Sequence, residues 1–261
     1  MQNEQPEASQ FYTGLVARLY THLRSEVFDP QPYRRFVTLV GGPALELGCG
    51  DGDPLLDLRA DGLNVEGLDS SADMLDRCRA AAAARGLDVV LHHATFESMD
   101  LGRKYRSMYL AGCTFNLLPD DATARSALQR IAAHLEPGGS VLIPLFIPLD
   151  AGADHVGWVN EKSDQAGLIM RLTVMAFTHD VAAREQTTRL RYELIDETDV
   201  QSLEREWTLH WFSQQQFASM ATDAGLTVHR VLANDGARAT AEDTGFTFWL
   251  RLDEAGQPPS S

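Results

Sequence analysis

Apolar and polar positions change their rhythm twice along the chain. Across residues 11 to 35, apolar and aromatic side chains recur at helical spacing, with Leu15, Leu19 and Leu23 on one face and Pro30 and Pro32 punctuating the end. This predicts an N-terminal helical segment leaning on the core. From Pro43 short apolar runs alternate with amphipathic stretches. PALELG reads as a buried strand, residues 48 to 52 as a glycine turn, and a helix begins near Asp53-Pro54. NVEGLD is a second strand, residues 71 to 85 a helix, DVVLHHA a third strand, RSMYLAGCT a fourth, and residues 120 to 135 a helix. After Pro137-Gly138-Gly139 comes a fifth strand, SVLIPLFI. Strands alternating with such helical patterns imply βαβ units and a parallel sheet.

After Pro148 the period becomes two. LIMRLTVMAF, TTRLRYELI and SLEREWTLHWF alternate apolar with polar residues, as in an antiparallel meander packed on one face. A helix returns in SQQQFASMATDAG, with Ser213 as its N-cap and Gly225 as its C-cap, and the strands LTVHRVL and GFTFWLRL follow. The expected organisation is a single domain over 11–261, with an α/β core at 40–147 and a β insertion at 150–212. The first ten residues and the last seven are polar and should fray.

Composition narrows the partners. A net charge of −15 and an isoelectric point near 4.8 repel phosphate backbones and anionic lipids, which argues against nucleic acid. No apolar run approaches the ~18 residues of a membrane helix, and the N-terminus lacks the basic and apolar regions of a secretory signal. Cys49, Cys78 and Cys113 are too scattered for a disulfide framework, so a reducing cytoplasm is the expected location. His92-His93 is no metal site, because neighbouring strand residues point to opposite faces, and no other metal-binding pattern is present.

The chemistry concentrates in Glu46-Leu47-Gly48-Cys49-Gly50-Asp51-Gly52, between a strand and a helix. Alternate glycines let the backbone turn sharply and approach a ligand with no Cβ in the way. In a doubly wound sheet such a turn lies at the carboxyl ends of the strands, where ligands bind. The second strand ends at Asp69-Ser70, and an acidic residue there can accept both hydroxyls of a ribose. A dinucleotide fingerprint needs a third glycine where this chain has Asp53, so NAD fits poorly.

The run ELGCGDG instead resembles the first motif of the class I S-adenosylmethionine (SAM)-dependent methyltransferases, an acidic residue followed by glycines at alternate positions. LDSSADML resembles that family's acidic motif after the second strand, and HLEPGGSVLI resembles its entry to the fifth. FESMDLGRKY and the later NLLPDDATARSALQRIAAHLEPGG resemble the small-molecule branch, which includes sugar-amine and glycine N-methyltransferases. The resemblance implies a Rossmann-like α/β sheet, doubly wound, seven-stranded and mostly parallel, carrying the antiparallel insertion and the N-terminal helical segment. It implies transfer of a methyl group from SAM to a nitrogen or oxygen of a small molecule, leaving S-adenosylhomocysteine (SAH). A protein of this fold that binds SAM or SAH without methyl transfer, or uses SAM for another reaction, is the alternative.

By the same resemblance, Glu46, Gly48, Cys49, Gly50 and Gly52 surround the methionine moiety. Asp69, with Ser70 beside it, holds the ribose, and Met74 packs near adenine or ribose or else belongs to the helix core. Thr95 stands where the family usually has an aspartate for the adenine amino group, and Phe96 stacks on the base or is core. Gly112, Cys113 and Asn116 follow the fourth strand, where the family exposes backbone to the cofactor and to the substrate. Tyr12 and Tyr20 resemble the tyrosines that close over SAM in the N-methyltransferases; as residues alone they are equally the aromatics of an amphipathic helix. No histidine stands out by motif; His155, His179 and His210, within the insertion, are the weak candidates for a general base. The insertion is either a substrate cover or a dimer surface. Its Trp158, Trp207, Trp211 and Phe212 line a pocket, an interface or a packed sheet face.

Overall fold

The computed structural model describes residues 11–24, 28–150, 152–165 and 167–253. The chain ends expected to fray lie outside the described residues.

The N-terminal segment forms two helices, α1 (Leu15–Leu23) and α2 (Gln31–Val40). Here the prolines open the second helix instead of closing the first: Pro30 is the N-cap and Pro32 lies in the first turn, where its missing N–H loses no intrahelical bond. Asp29 Oδ1 accepts from the Gln31 amide at 3.0 Å.

Next come β1 (Ala44–Leu47), α3 (Leu55–Ala60), β2 (Val65–Asp69), α4 (Ala72–Ala84), β3 (Leu91–His93) and β4 (Tyr105–Leu110). A short turn of 3₁₀ helix at Thr114–Leu117 leads to α5 (Asp121–His134) and β5 (Leu135–Phe146). Strand β5 starts before the Pro-Gly-Gly run, and its pairing with β4 shifts register between Tyr105 and Ser107 to absorb it. The insertion contains β6 (Val159–Ser163), β7 (Ile169–Asp180), β8 (Glu185–Ile195) and β9 (Val200–His210). Strand β6, sequence VNEKS, carried too little apolar character to be expected; its pairing with β7 makes it a strand. The chain continues through α6 (Gln214–Asp223), β10 (Leu226–Ala233) and β11 (Gly245–Leu252). A reciprocal Ser213–Gln216 capping box starts α6, and Gly225 follows its C-cap, Ala224, at φ +83°.

The large sheet has the order β10-β11-β5-β4-β1-β2-β3; β1 to β5 run parallel and β11 runs antiparallel to both its neighbours. This is the expected seven-stranded α/β sheet, with helices on both faces. Phe115, Leu128, Ile131 and Phe217 join the inner residues Leu45, Leu47 and Met108 on one face. On the other, Phe36, Leu55, Leu58 and Leu75 pack over Ala44, Val65 and Tyr109. The insertion is a separate antiparallel sheet, β6-β7-β8-β9. Its apolar face is covered by α1, whose Val16, Leu19 and Leu23 meet Met170, Val174, Leu190 and Tyr192. Helix α1 therefore bridges the insertion and the carboxyl edge of the parallel sheet.

Candidate functional site

Strands β1 and β2 end side by side, Leu47 opposite Leu68, and the Leu68 carbonyl accepts from both the Gly48 and Cys49 amides at 2.7 and 2.9 Å. That pair of hydrogen bonds starts the glycine turn, which runs through positive φ at Gly48 (+73°), Gly50 (+53°) and Gly52 (+99°), values L side chains rarely adopt. Asp69, at the end of β2, accepts from the Gly50 amide on Oδ2 and the Ser71 amide on Oδ1, both at 2.8 Å. One carboxylate thus joins the turn after β1 to the start of α4, whose N-cap is Ser71. Burial raises the Asp69 carboxyl above its usual range, and these amide donors oppose the rise.

A cleft of about 440 Å³ opens at this edge. It brings together Tyr12, Tyr20, Gly48, Gly50, Asp69, Ser70, Met74, Thr95 and Phe96. Glu97, Thr114, Leu117, Leu118, Pro119 and Thr123 complete the wall; none of them was singled out from the sequence. The Thr95 hydroxyl is shared with that of Ser98 at 2.6 Å. A second chamber of about 560 Å³ meets the first at Tyr12, Tyr20, Thr114 and Leu117 and is lined by Gly112 and Cys113, by Phe11, Arg24 and Phe28, and by the insertion's Leu172, Leu190, Tyr192, Trp207 and Leu209.

Several expected residues lie elsewhere. Cys49 is buried against Cys78, and an added Cβ on Gly52 would stand 2.8 Å from Leu56 and 2.9 Å from Cys78, so both face the helical layer behind the turn. Glu46 is fully buried, accepts the Tyr109 hydroxyl at 2.7 Å on Oε2, and lines neither cavity. Burial drives its carboxyl well upward, and its Oε1 has no hydrogen-bond partner among the described residues. Asn116 is a clamp: its amide nitrogen donates to the Phe146 and His210 carbonyls at 3.0 and 2.9 Å, and its oxygen accepts from the Phe146 amide.

None of the three histidines reaches either cavity. His155 stacks on Trp158, and His179 stacks on Trp211 with centroids 4.9 Å apart. His210 is buried and bonded through Nε2 to Asp121 at 2.9 Å, a joint that Arg184 completes by donating to the other Asp121 oxygen at 2.7 Å. The insertion's aromatics divide likewise: Trp207 lines the chamber, Trp211 and Phe212 are buried, and Trp158 is half exposed.

The N-terminal helix is fastened over the turn by polar contacts that no local pattern announces. Ser71 Oγ donates to the Tyr12 carbonyl at 2.5 Å, the Gly14 amide to Asp73 at 2.6 Å, and Thr21 Oγ1 to Asp51 at 2.8 Å. Arg24 reaches Asp53 at 2.8 Å and lies 5.8 Å from the Tyr20 ring centroid; its buried Nη1 has no hydrogen-bond partner among the described residues. The rings of Tyr12 and Tyr20 meet edge to face at 5.4 Å. Tyr33, on α2, accepts from the Gly112 amide at 3.4 Å, and burial has pushed its hydroxyl up to about 12. Arg24, Phe28 and Tyr33 escaped the sequence reading because helical periodicity explained that segment without them.

The residues present fit a SAM molecule. Asp69 lines the cleft beside a glycine whose absent Cβ leaves the backbone open, and Phe96 and Met74 supply apolar surfaces for a base. Arg24, whose Nη1 stands 3.7 Å from Asp51 of the glycine turn, is a cation suited to a carboxylate. No cluster of metal-binding side chains occurs among the described residues, and no helix among them is long and apolar enough to cross a membrane.

Comparison with known proteins agrees. Residues 44–139 match the methyltransferase domain family. The chain is 31% identical over 228 residues to a dTDP-3-amino-3,6-dideoxy-alpha-D-glucopyranose N,N-dimethyltransferase of Streptomyces fradiae, covering 83% of this chain and 86% of the relative. It is 28% identical to a dTDP-3-amino-3,4,6-trideoxy-alpha-D-glucopyranose N,N-dimethyltransferase of Streptomyces venezuelae, over 70% of this chain and 75% of that one. Its fold is similar to that of the CcbJ methyltransferase of Streptomyces caelestis, with a TM-score of 0.73, 22% identity, and coverage of 91% of this chain and 96% of that one. It is also similar to that of the SAM-bound amino pentose methyltransferase CalS10 of Micromonospora echinaspora, with a TM-score of 0.66, 19% identity, and coverage of 93% and 98%. Turn, carboxylate, sheet order and kinship lead to one family: the chain belongs to the class I SAM-dependent methyltransferases that act on small molecules.

Proposed function

We propose that this enzyme methylates a nitrogen of a small molecule, with the nucleoside of SAM in the first cleft and the methyl acceptor in the chamber beside it. One observation carries the reading: the two cavities share a wall at Tyr12, Tyr20, Thr114 and Leu117, so a molecule in each would meet there. When bound, SAM supplies an electrophilic methyl on a sulfonium, which a neutral amine takes in line as the carbon–sulfur bond breaks onto sulfur. The chain's own residues align the partners and exclude water. In this reading Asp69 holds the ribose hydroxyls, Arg24 the carboxylate of the methionine end, and α1 closes the cleft.

Nitrogen is favoured over oxygen by the chamber wall. A hydroxyl of ordinary pKa needs a general base, and the chamber offers no histidine and no carboxylate. Its phenols Tyr12, Tyr20 and Tyr192 are held protonated, chiefly by burial. An amine needs only to arrive unprotonated. Both relatives named above are N,N-dimethyltransferases, which supports the same choice. Incubation with methyl-labelled SAM and a panel of small amines and alcohols, read by mass spectrometry, tests it: label on nitrogen is expected, and label on oxygen alone refutes it. A homodimer through the insertion and a cytoplasmic location accord with its exposed Val156 and Trp158 and with the buried, unpaired cysteines Cys49 and Cys78.

A further inference from the structure

We propose that the methyl acceptor is an uncharged, phosphate-free amine with a largely apolar body, an inference that rests on reading the chamber as the acceptor site. The part of the wall away from the glycine turn is Phe146, Leu172, Leu190, Tyr192, Trp207 and Leu209. Leu190, Tyr192 and Leu209 are buried, and they reach the chamber through the period-two alternation of β8 and β9. Such a surface gains free energy only by meeting an apolar ligand.

A nucleotide-linked sugar would bring a diphosphate, which proteins hold with arginine, lysine or helix N-termini. The chain's 22 lysines and arginines all lie among the described residues, and Arg24 alone lines the chamber. It is paired with Asp53 at 2.8 Å and Asp51 at 3.7 Å, and in the reading above its remaining reach is taken by the carboxylate of SAM. None of the insertion's cations lines the chamber. Arg171 pairs with Glu161 and Glu193, and Arg191 pairs with Glu204; Arg191 alternates with Leu190 and Tyr192 onto the opposite face. Arg184 belongs to the Asp121 joint. Arg205 stands opposite Leu190 in the ladder and shares its face but lies outside the chamber, with Nη1 donating to the Glu204 carbonyl at 3.3 Å and a buried Nε that has no hydrogen-bond partner among the described residues.

The polar atoms that remain select the rest of the ligand. With no carboxylate in the wall, an ammonium would lose its hydration without gaining a counter-ion, so the amine enters neutral. The rings of Tyr12, Tyr20 and Trp207 can then favour positive charge as it develops.

The test uses the full-length protein saturated with SAH, two probes and one variant. N-Phenyl-1-naphthylamine, an uncharged aromatic amine read by fluorescence, should bind saturably at micromolar concentration, and Leu172→Ala should weaken it about three- to tenfold. Thymidine diphosphate should give no heat in calorimetry, and displace no probe, up to about 1 mM. Failure of the naphthylamine to bind, binding insensitive to Leu172, or displacement by thymidine diphosphate each overturns the inference. SAH is titrated first, so that loss of the cofactor reading is seen separately. Labelled methyl found on the nitrogen of a nucleotide-linked amino sugar would uphold the nitrogen reading while overturning this one.

Discussion

Substituting Gly50 and Gly52 separately by alanine should produce opposite kinds of failure, although the residues are two apart in one motif. A Cβ on Gly52 would lie 2.8 Å from Leu56 Cγ and 2.9 Å from Cys78 Sγ, at φ +99°. Leu56 and Cys78 are themselves buried, so neither can step aside freely. Overpacking of this kind costs about 1–3 kcal/mol, and the backbone conformation adds about 1–2 kcal/mol. Gly52→Ala should therefore lose about 2–5 kcal/mol, a large share of the ~5–15 kcal/mol that holds a domain together. A Cβ on Gly50 would meet only Met74 Cε, at an ordinary 3.5 Å, with φ +53°. The cost to folding is then about 1–2 kcal/mol of left-handed strain, but the methyl occupies the cleft wall. SAH affinity should fall at least about tenfold for Gly50→Ala and change little for the folded fraction of Gly52→Ala. Urea unfolding followed by circular dichroism gives the stabilities, and calorimetry the affinities. A Gly52→Ala protein as stable as the parent, or a Gly50→Ala protein that binds SAH normally, would refute this division of labour.

The Asp69 carboxyl is raised by burial, and ribose hydroxyls favour its charged form, so SAH binding should release protons at acidic pH; affinity should rise with pH through the free protein's Asp69 pKa and then level off, whereas calorimetry in buffers of different ionisation heat showing no proton release would remove Asp69 from that role. His210→Gln should cost about 1–2 kcal/mol of stability through the Asp121 joint while kcat/KM stays within about threefold, and a fall of about a hundredfold would restore His210 as a base. Asp121 shows the opposite sign to Asp69: burial raises its carboxyl, but Arg184 and His210 outweigh it and leave it lowered. The stability it contributes is present above the ordinary aspartate range and is lost as pH falls through the lowered value, a window that Asp121→Asn should erase from an acid titration of unfolding. SAH should slow amide exchange over residues 11–24 as well as 48–52, because α1 is fastened to the turn and to α4 through Thr21, Gly14 and Tyr12; protection confined to residues 40–120 would end the lid reading.

The sequence by itself determined the order of β1 to β5, the interposed helices, the glycine turn, the acid at the end of β2 and the two-residue period of the insertion. These are local properties: a strand buried on both faces, a φ open to glycine and an alternating sheet face each leave a periodic or compositional trace within a few residues. The tertiary structure alone decided which members of the turn face the cleft. Gly50 opens onto it while Gly52 and Cys49 turn into the helical layer, because side-chain direction in a turn follows three-dimensional φ/ψ and no repeating period. The prolines were legible as breakers, but whether Pro30 ends one helix or starts the next depended on Asp29 and on what α2 packs against. The three histidines carried no local mark of their roles, and only long-range partners such as Asp121, Trp211 and Trp158 placed them away from the cavities. The chamber could not be read in advance, since Tyr12, Arg24, Gly112, Phe146, Leu190 and Trp207 come from five separate stretches of chain. Their meeting is set by α1 packing between two sheets, an interaction of distant surfaces that leaves no pattern along the backbone.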